Sequence, residues 1–157
     1  MKITLLVVGK TTFPYINEGI SLYEKRLKFY VNYNKIEIPE LRNAKSLSND
    51  QIKECEGDLI LKNIKSNNHV ILLDERGSLY TSESWAQHLE KAMTFTAKDI
   101  IFVIGGAYGF SKSVYDRADG MLSLSKMTFS HQIIRVIFLE QLYRAFTIIK
   151  GEPYHHR

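Results

Sequence analysis

The chain has 157 residues, of which 45% are apolar and 24% charged, and its formal net charge is +4. These values predict one soluble globular domain spanning residues 1–157, large enough to bury a core without covalent cross-links. A single cysteine excludes an intrachain disulfide, and no apolar run is long enough to span a membrane. We therefore expect a cytoplasmic protein with no membrane association.

Strand-like and helical runs alternate along the chain. Several of the strand-like runs are continuously apolar, which is typical of parallel strands covered on both faces. Helical patterns follow Pro14, a favoured first-turn residue, and the candidate N-caps Thr81 and Ser82. The alternation predicts an α/β fold with a mainly parallel sheet flanked by helices. The predicted strands span residues 2–8, 34–38, 69–74, 99–104 and 122–125.

The last predicted helix, residues 131–150, is apolar around most of its circumference, which favours burial between subunits. Glu140 and Arg144 are spaced to form a surface ion pair. His131 and Arg135 fall on the apolar side, where polar groups are costly unless they meet a partner or a ligand. A buried satisfied pair, an interface salt bridge and a ligand site all stay open as explanations.

Positive charge is concentrated near the C-terminus. From Lys126 onward the chain carries five lysines and arginines against two glutamates. A polyanion such as RNA is the natural partner for this excess, and a merely solvated tail is the alternative.

The run "IIFVIGGAYGF" ends a predicted buried strand in the glycines 105 and 106. The absence of a Cβ at Gly105 would let a ligand lie against the main chain, and a tight strand-to-loop turn is the alternative explanation. The spacing G-G-x-x-G is not the dinucleotide fingerprint, which disfavours an NAD enzyme.

Two other predicted strands end in similar polar, turn-forming segments, "LLDERG" and "LSLSKMTFSHQIIRV". Because ligands bind at the carboxyl ends of strands in open α/β sheets, we expect these ends to converge on one crevice. Main-chain donors and acceptors in such a crevice suit a ligand with an adenine-like edge. No Walker A, HExxH or metal-spaced Cys/His motif is present, and no metal is expected.

Together, "LLDERG", "FVIGGAYGF", "LSLSKMTFSHQIIRVIFLEQLYRAF" and the terminal "GEPYHH" closely resemble the ribosomal RNA large-subunit methyltransferase H family of the SPOUT superfamily. The resemblance implies a SPOUT-type fold with a C-terminal trefoil knot, S-adenosyl-L-methionine as cofactor and a homodimer. It also implies methylation of N3 of a pseudouridine in 23S rRNA on the assembled ribosome. The implied cofactor-binding residues are Leu73, Gly105, Leu124, Ser125, Lys126, Met127, Thr128 and Phe129.

Methyl transfer to an imide nitrogen requires removal of a proton, and a nearby base or cation would assist. The candidates are His131, Arg135, Tyr154 and His155. Arg135 and the C-terminal tail are favoured, and the resemblance implies that the tail enters the partner subunit's pocket. This tail reads "PYHHR" where one form of the family has "PYHR", so His156 and Arg157 are not assigned a role.

Two rival functions follow from the same residues. One is a non-catalytic ribosome- or RNA-binding module, and the other is a different nucleotide-using α/β enzyme. Binding of S-adenosylmethionine separates the methyltransferase from both.

Overall fold

The computed structural model describes residues 1–156. Within these residues the chain alternates strands with helices, as the apolar runs predict. The elements in chain order are β1 (Lys2–Val8), α1 (Pro14–Leu27), β2 (Asn32–Ile38), a 3-10 turn (Ala44–Ser46), α2 (Asn49–Lys62), β3 (His69–Leu79), α3 (Ser82–Phe95), β4 (Ile100–Ile104), α4 (Lys112–Arg117), β5 (Gly120–Ser123) and α5 (Ile133–Ile149).

The strands form one sheet in the order β2-β1-β4-β3-β5, and each neighbouring pair is parallel. The predicted α/β class with a parallel sheet is therefore confirmed. Parallel pairing places the carboxyl ends of β3, β4 and β5 beside one another at the same edge of the sheet. The C-terminal trefoil knot stays a prediction.

β1 has the predicted bounds, β2 and β4 differ from the prediction only where they begin, and β3 and β5 differ more. β5 ends at Ser123, so Leu124 and Ser125 already belong to the following loop. β3 continues to Leu79 because residues 74–77 bulge out of the ladder: both Leu73 and Ser78 pair with Leu122. A Cβ on Gly77 would lie 2.7 Å from main-chain atoms of Leu122. The bulge therefore depends on a residue without a side chain at its last position.

The core lies on both faces of the sheet. One face packs against α1, α3 and α5, with the rings of Phe102 and Phe138 4.8 Å apart and Trp85 at their edges. The other face packs against α2 and α4 through residues such as Ile60 and Val114. No helix within residues 1–156 is long and apolar enough to cross a membrane.

Candidate active site

A cavity of about 1010 Å³ lies at the carboxyl ends of β3, β4 and β5. Most of its wall comes from three chain segments that follow these strands: residues 73–76, residues 104–110, and most of residues 122–131. The structure thus brings together the three strand ends that the sequence marks as ligand-binding. In parallel α/β sheets this is the usual position of a ligand.

The structure brings nearly all of the predicted cofactor-binding residues to this cavity. Lys126 is the exception, since its side chain is exposed and is not part of the cavity wall. The predicted residues in the wall are Leu73, Gly105, Leu124, Ser125, Met127, Thr128 and Phe129.

The glycines after β4 have a different immediate role from the expected one. A Cβ on Gly105 would lie 3.0 Å from the ring of Phe110, and one on Gly106 would lie 2.8 Å from the carboxylate of Glu56. The space beside each glycine is thus already filled by the protein's own side chains. These glycines allow the loop to fold closely over α2 while their main chain still faces the cavity.

Side-chain hydrogen bonds hold the loop after β5 in shape. The amide of Met127 donates to Ser125 Oγ at 2.9 Å. Thr128 Oγ1 donates to Glu75 Oε2 at 3.1 Å, which links this loop to the bulge of β3. Two of the three cavity walls are therefore connected directly, and sequence reasoning gave no signal for the part that Glu75 plays.

The bulge of β3 is itself fixed by Asp74. This carboxylate accepts a hydrogen bond from the amide of Arg76 at 2.8 Å and another from the hydroxyl of Tyr115. The guanidinium of Arg76 lies 4.6 Å from the centre of the Tyr115 ring, within the range of a cation–π contact. Burial, together with the hydrogen bond to Asp74, raises the pKa of Tyr115, so its proton stays in place at neutral pH.

Of the four predicted catalytic residues, His131 is the one in the cavity wall. Burial and the positive charge of Arg135 lower the pKa of His131 below its usual 6.5. The imidazole is therefore mainly uncharged at neutral pH, the state in which it can accept a proton.

Arg135, the predicted catalytic cation, is not part of this chain's cavity wall. Its side chain is 0% exposed, and its guanidinium donates to Val8 O, Gly9 O and Thr11 Oγ1 at 2.8 to 2.9 Å. Its Nε donates to His131 O at 2.9 Å. The residue satisfies carbonyl groups at the end of β1, which agrees with the buried, satisfied alternative.

The tail residues Tyr154 and His155 also lie outside this chain's own cavity. Tyr154 donates to Glu140 Oε1 at 3.1 Å, and Arg144 Nη1 lies 2.9 Å from His155 Nδ1. The other ring nitrogen of His155 lies 2.8 Å from Glu83 Oε1 on α3. The ion pair predicted between Glu140 and Arg144 is present at 2.5 Å and anchors this arrangement.

His156 is exposed, and Arg157 lies outside the described residues. Within residues 1–156, no three His, Cys, Asp or Glu side chains are grouped closely enough to hold a metal ion.

An open parallel sheet with a cavity of this size at its strand ends is typical of α/β proteins that bind nucleotide-sized ligands. The family model described as predicted SPOUT methyltransferase matches residues 1–155. Three curated relatives carry the name Ribosomal RNA large subunit methyltransferase H. The protein from Parabacteroides distasonis is 51% identical over 156 residues, with 99% of each chain covered.

The relative from Christiangramia forsetii is 50% identical over 157 residues, with 100% of both chains covered. The relative from Cytophaga hutchinsonii is 51% identical over 156 residues, covering 99% of this chain and 100% of that protein. This chain therefore belongs to the SPOUT methyltransferase family and, within it, to the ribosomal RNA large subunit methyltransferase H group. The resemblance found in the sequence motifs is confirmed.

Proposed function

We propose that this protein is an S-adenosylmethionine-dependent methyltransferase of large-subunit ribosomal RNA, with residues 1–157 as its single catalytic domain. The observation that carries the proposal is the convergence of Leu73, Gly105 and Met127 on one cavity in a chain of this family. The finer assignment is methylation of N3 of a pseudouridine in 23S rRNA, on the assembled ribosome in the cytoplasm.

The cavity fits the cofactor. Its volume of about 1010 Å³ reaches the upper end of the roughly 300–1,000 Å³ typical of small-molecule sites. Gly105 and Gly106 present bare main chain at the wall, where amide and carbonyl groups can pair with an adenine edge. We assign cofactor contacts to the predicted residues in the wall. Lys126 is exposed and lies outside the wall, so we assign it no cofactor contact.

Bound in this cavity, S-adenosylmethionine supplies an electrophilic methyl group on a sulfonium. The protein's main contribution is to align the acceptor nitrogen with that methyl group. We assign to His131 the acceptance of the N3 proton, because the residue lines the cavity and its pKa is lowered. Arg135 supports the reaction as a positioning residue, since it holds the carbonyl of His131 against the end of β1.

The tail is proposed to act in the partner subunit's cavity within a homodimer. In support, Tyr154 and His155 are held on α5 and α3, outside the cavity of their own chain. In this proposal, a cation or proton donor from the tail would stabilise the negative charge that spreads onto the carbonyl oxygens of the deprotonated base.

A complementation experiment tests the tail. One variant lacks residues 153–157. The other carries Gly105→Leu, whose side chain would collide with the Phe110 ring and so distort the cavity wall. Each homodimer should be inactive. A mixed dimer should regain up to half of the wild-type rate per dimer, because one of its two cavities is then complete. Mixed dimers with no activity would contradict a tail that acts across the interface.

The function itself is tested by mass mapping of 23S rRNA from cells that lack the gene. The methyl group on the target pseudouridine should disappear, and return when the wild-type gene is supplied. Retention of the methyl group would reject the assignment. If, in addition, calorimetry detects no binding of S-adenosylmethionine, a non-catalytic RNA-binding module is the better description.

A further inference from the structure

Three basic side chains line one part of the cavity: Lys53 on α2, Arg76 in the bulge of β3 and Lys112 at the start of α4. None of them is among the predicted cofactor-binding residues, although Arg76 lies in the segment "LLDERG", and the reaction described above leaves them without a role. The three residues lie on three separate elements, so the sequence did not show that they group together.

The packing of α2, α4 and the bulge joins these three residues into one wall. Gly57 lets the two helices meet closely, because a Cβ there would lie 2.4 Å from Ser111 Oγ. Arg76 lies over the ring of Tyr115, which is three residues, about one helical turn, after Lys112. We refer to Lys53, Arg76 and Lys112 as the basic wall.

The charges of the basic wall are accessible to a ligand. The side chain of Lys112 is 86% exposed and that of Arg76 is 65% exposed. Among residues 1–156, Lys53 and Lys112 have only surface ion-pair partners, Asp50 at 3.4 Å and Asp116 at 2.7 Å. Exposed pairs of this kind contribute little to stability, so an anion can compete for the lysines.

Arg76 has the most defined geometry of the three. The Tyr115 ring and the carboxylate of Asp74 hold its guanidinium in one orientation. A planar guanidinium held in this way is suited to bidentate contact with a phosphate group. Asp74, which is mostly buried, lies 3.4 Å from Nε of Arg76 and also accepts from Tyr115, whereas Glu75 accepts from Thr128.

We propose that the basic wall binds backbone phosphates of the RNA strand whose target base enters the cavity. The inference rests on the proposed function. A base that reacts inside a cavity must leave its stack, and the phosphates on either side of it then lie at the cavity mouth. Phosphate contacts fix the position of a strand without reading its sequence, which suits an enzyme that recognises an assembled ribosome.

The proposal makes a specific prediction about salt dependence. Removing one phosphate contact should reduce the slope of log affinity against log salt by about 0.7 for a single strand. The test variant is Lys53→Gln/Arg76→Gln/Lys112→Gln, and the matched control is Lys91→Gln, an exposed lysine on α3 at the other face of the sheet. The substrate is ribosomes from cells that lack the enzyme, methylated at 50 to 300 mM KCl (roughly the range in which phosphate contacts respond to salt).

In the triple variant, the KM for ribosomes should rise at least tenfold at 100 mM KCl (about 1.4 kcal/mol). The slope of log(1/KM) should fall by about two, while kcat at saturating ribosomes and calorimetric affinity for S-adenosylmethionine stay near wild type. The Lys91→Gln control should retain the wild-type KM and slope.

Two results would overturn the proposal. If the wild-type enzyme is active and the triple variant has the same salt slope, the basic wall does not bind phosphates. A loss of cofactor affinity equal to the loss in kcat/KM would assign the wall to the cofactor instead. Failure of the proposed function is distinct from both, because wild-type enzyme would then transfer no methyl group to ribosomes at any salt concentration.

Discussion

Replacing Arg135 by lysine separates a structural role for this residue from the catalytic role that its sequence position suggests. Arg135 makes four hydrogen bonds, three of them to the main-chain carbonyls of Val8, Gly9 and His131. Lysine keeps the charge but carries it on one nitrogen, which cannot span acceptors arranged around a planar guanidinium. At least two buried acceptors should therefore lose their donor in Arg135→Lys.

The magnitude follows from these hydrogen bonds. A hydrogen bond to a charged group contributes roughly 1.5–3 kcal/mol, and leaving a buried acceptor without a donor costs about 1–3 kcal/mol. Because these effects are not additive, we expect Arg135→Lys to lower the free energy of unfolding by about 3 kcal/mol. In a domain of this size that corresponds to a fall in Tm of roughly 6–12 °C.

The assay is urea denaturation at a fixed protein concentration, followed by the fluorescence of the buried Trp85. Arg144→Lys is the matched control, since Arg144 is a partly exposed arginine on the same helix and pairs with Glu140. The control should lose about 1 kcal/mol or less. The reasoning is refuted if Arg135→Lys unfolds at the wild-type urea concentration while turnover at 25 °C collapses.

Three further predictions concern single residues. Gly77→Ala should destabilise the protein by roughly 2–3 kcal/mol and abolish cofactor binding, because the new Cβ meets the main chain of Leu122. Urea denaturation and calorimetry measure the two effects. Gly120→Ala is the control and should change little in either assay, since a Cβ there has nothing within 4 Å. Glu56 Oε1 is buried with no hydrogen-bond partner within residues 1–156, and burial raises the pKa of Glu56 above 4.5. The stability that the protonated Glu56 carboxyl contributes is thus present below pH 4.5 and lost as pH rises through the folded-state pKa. Glu56→Gln should therefore raise the free energy of unfolding by about 1 kcal/mol at pH 8 and by little at pH 4. A larger increase at pH 4 than at pH 8 in urea denaturation would contradict this. Since the pKa of His131 is lowered below 6.5, kcat/KM should fall only at pH values below 6.5. His131→Asn should remove this fall from the pH profile. An inflection above pH 6.5 in the wild-type profile would exclude His131 as the proton acceptor.

The parallel sheet could be predicted from sequence because burial on both faces leaves continuous apolar runs, such as residues 100–104. The convergence of the three strand ends followed from that topology. The predicted β5 began two residues too late, because glycine is typical of turns and yet Gly120 begins this strand. The bulge in β3 was missed because its cause, contact between Gly77 and Leu122, joins residues far apart in sequence.

Long-range contacts also explain what could not be predicted at the site. The acceptors of Arg135 lie at the end of β1, 126 and 127 residues away for two of its bonds. Similarly, Glu56 fills the space beside Gly106 from a helix that gives no sequence signal for the loop. A glycine pattern indicates that something approaches the main chain, and only the folded structure identifies it.

A crystal structure with bound S-adenosylhomocysteine, the demethylated cofactor, measures the central claim most directly. The account predicts the adenosyl group in the cavity between the ends of β3, β4 and β5, in contact with the main chain of Gly105 and Met127. Ligand density on another surface, with this cavity empty at saturating ligand, would contradict it.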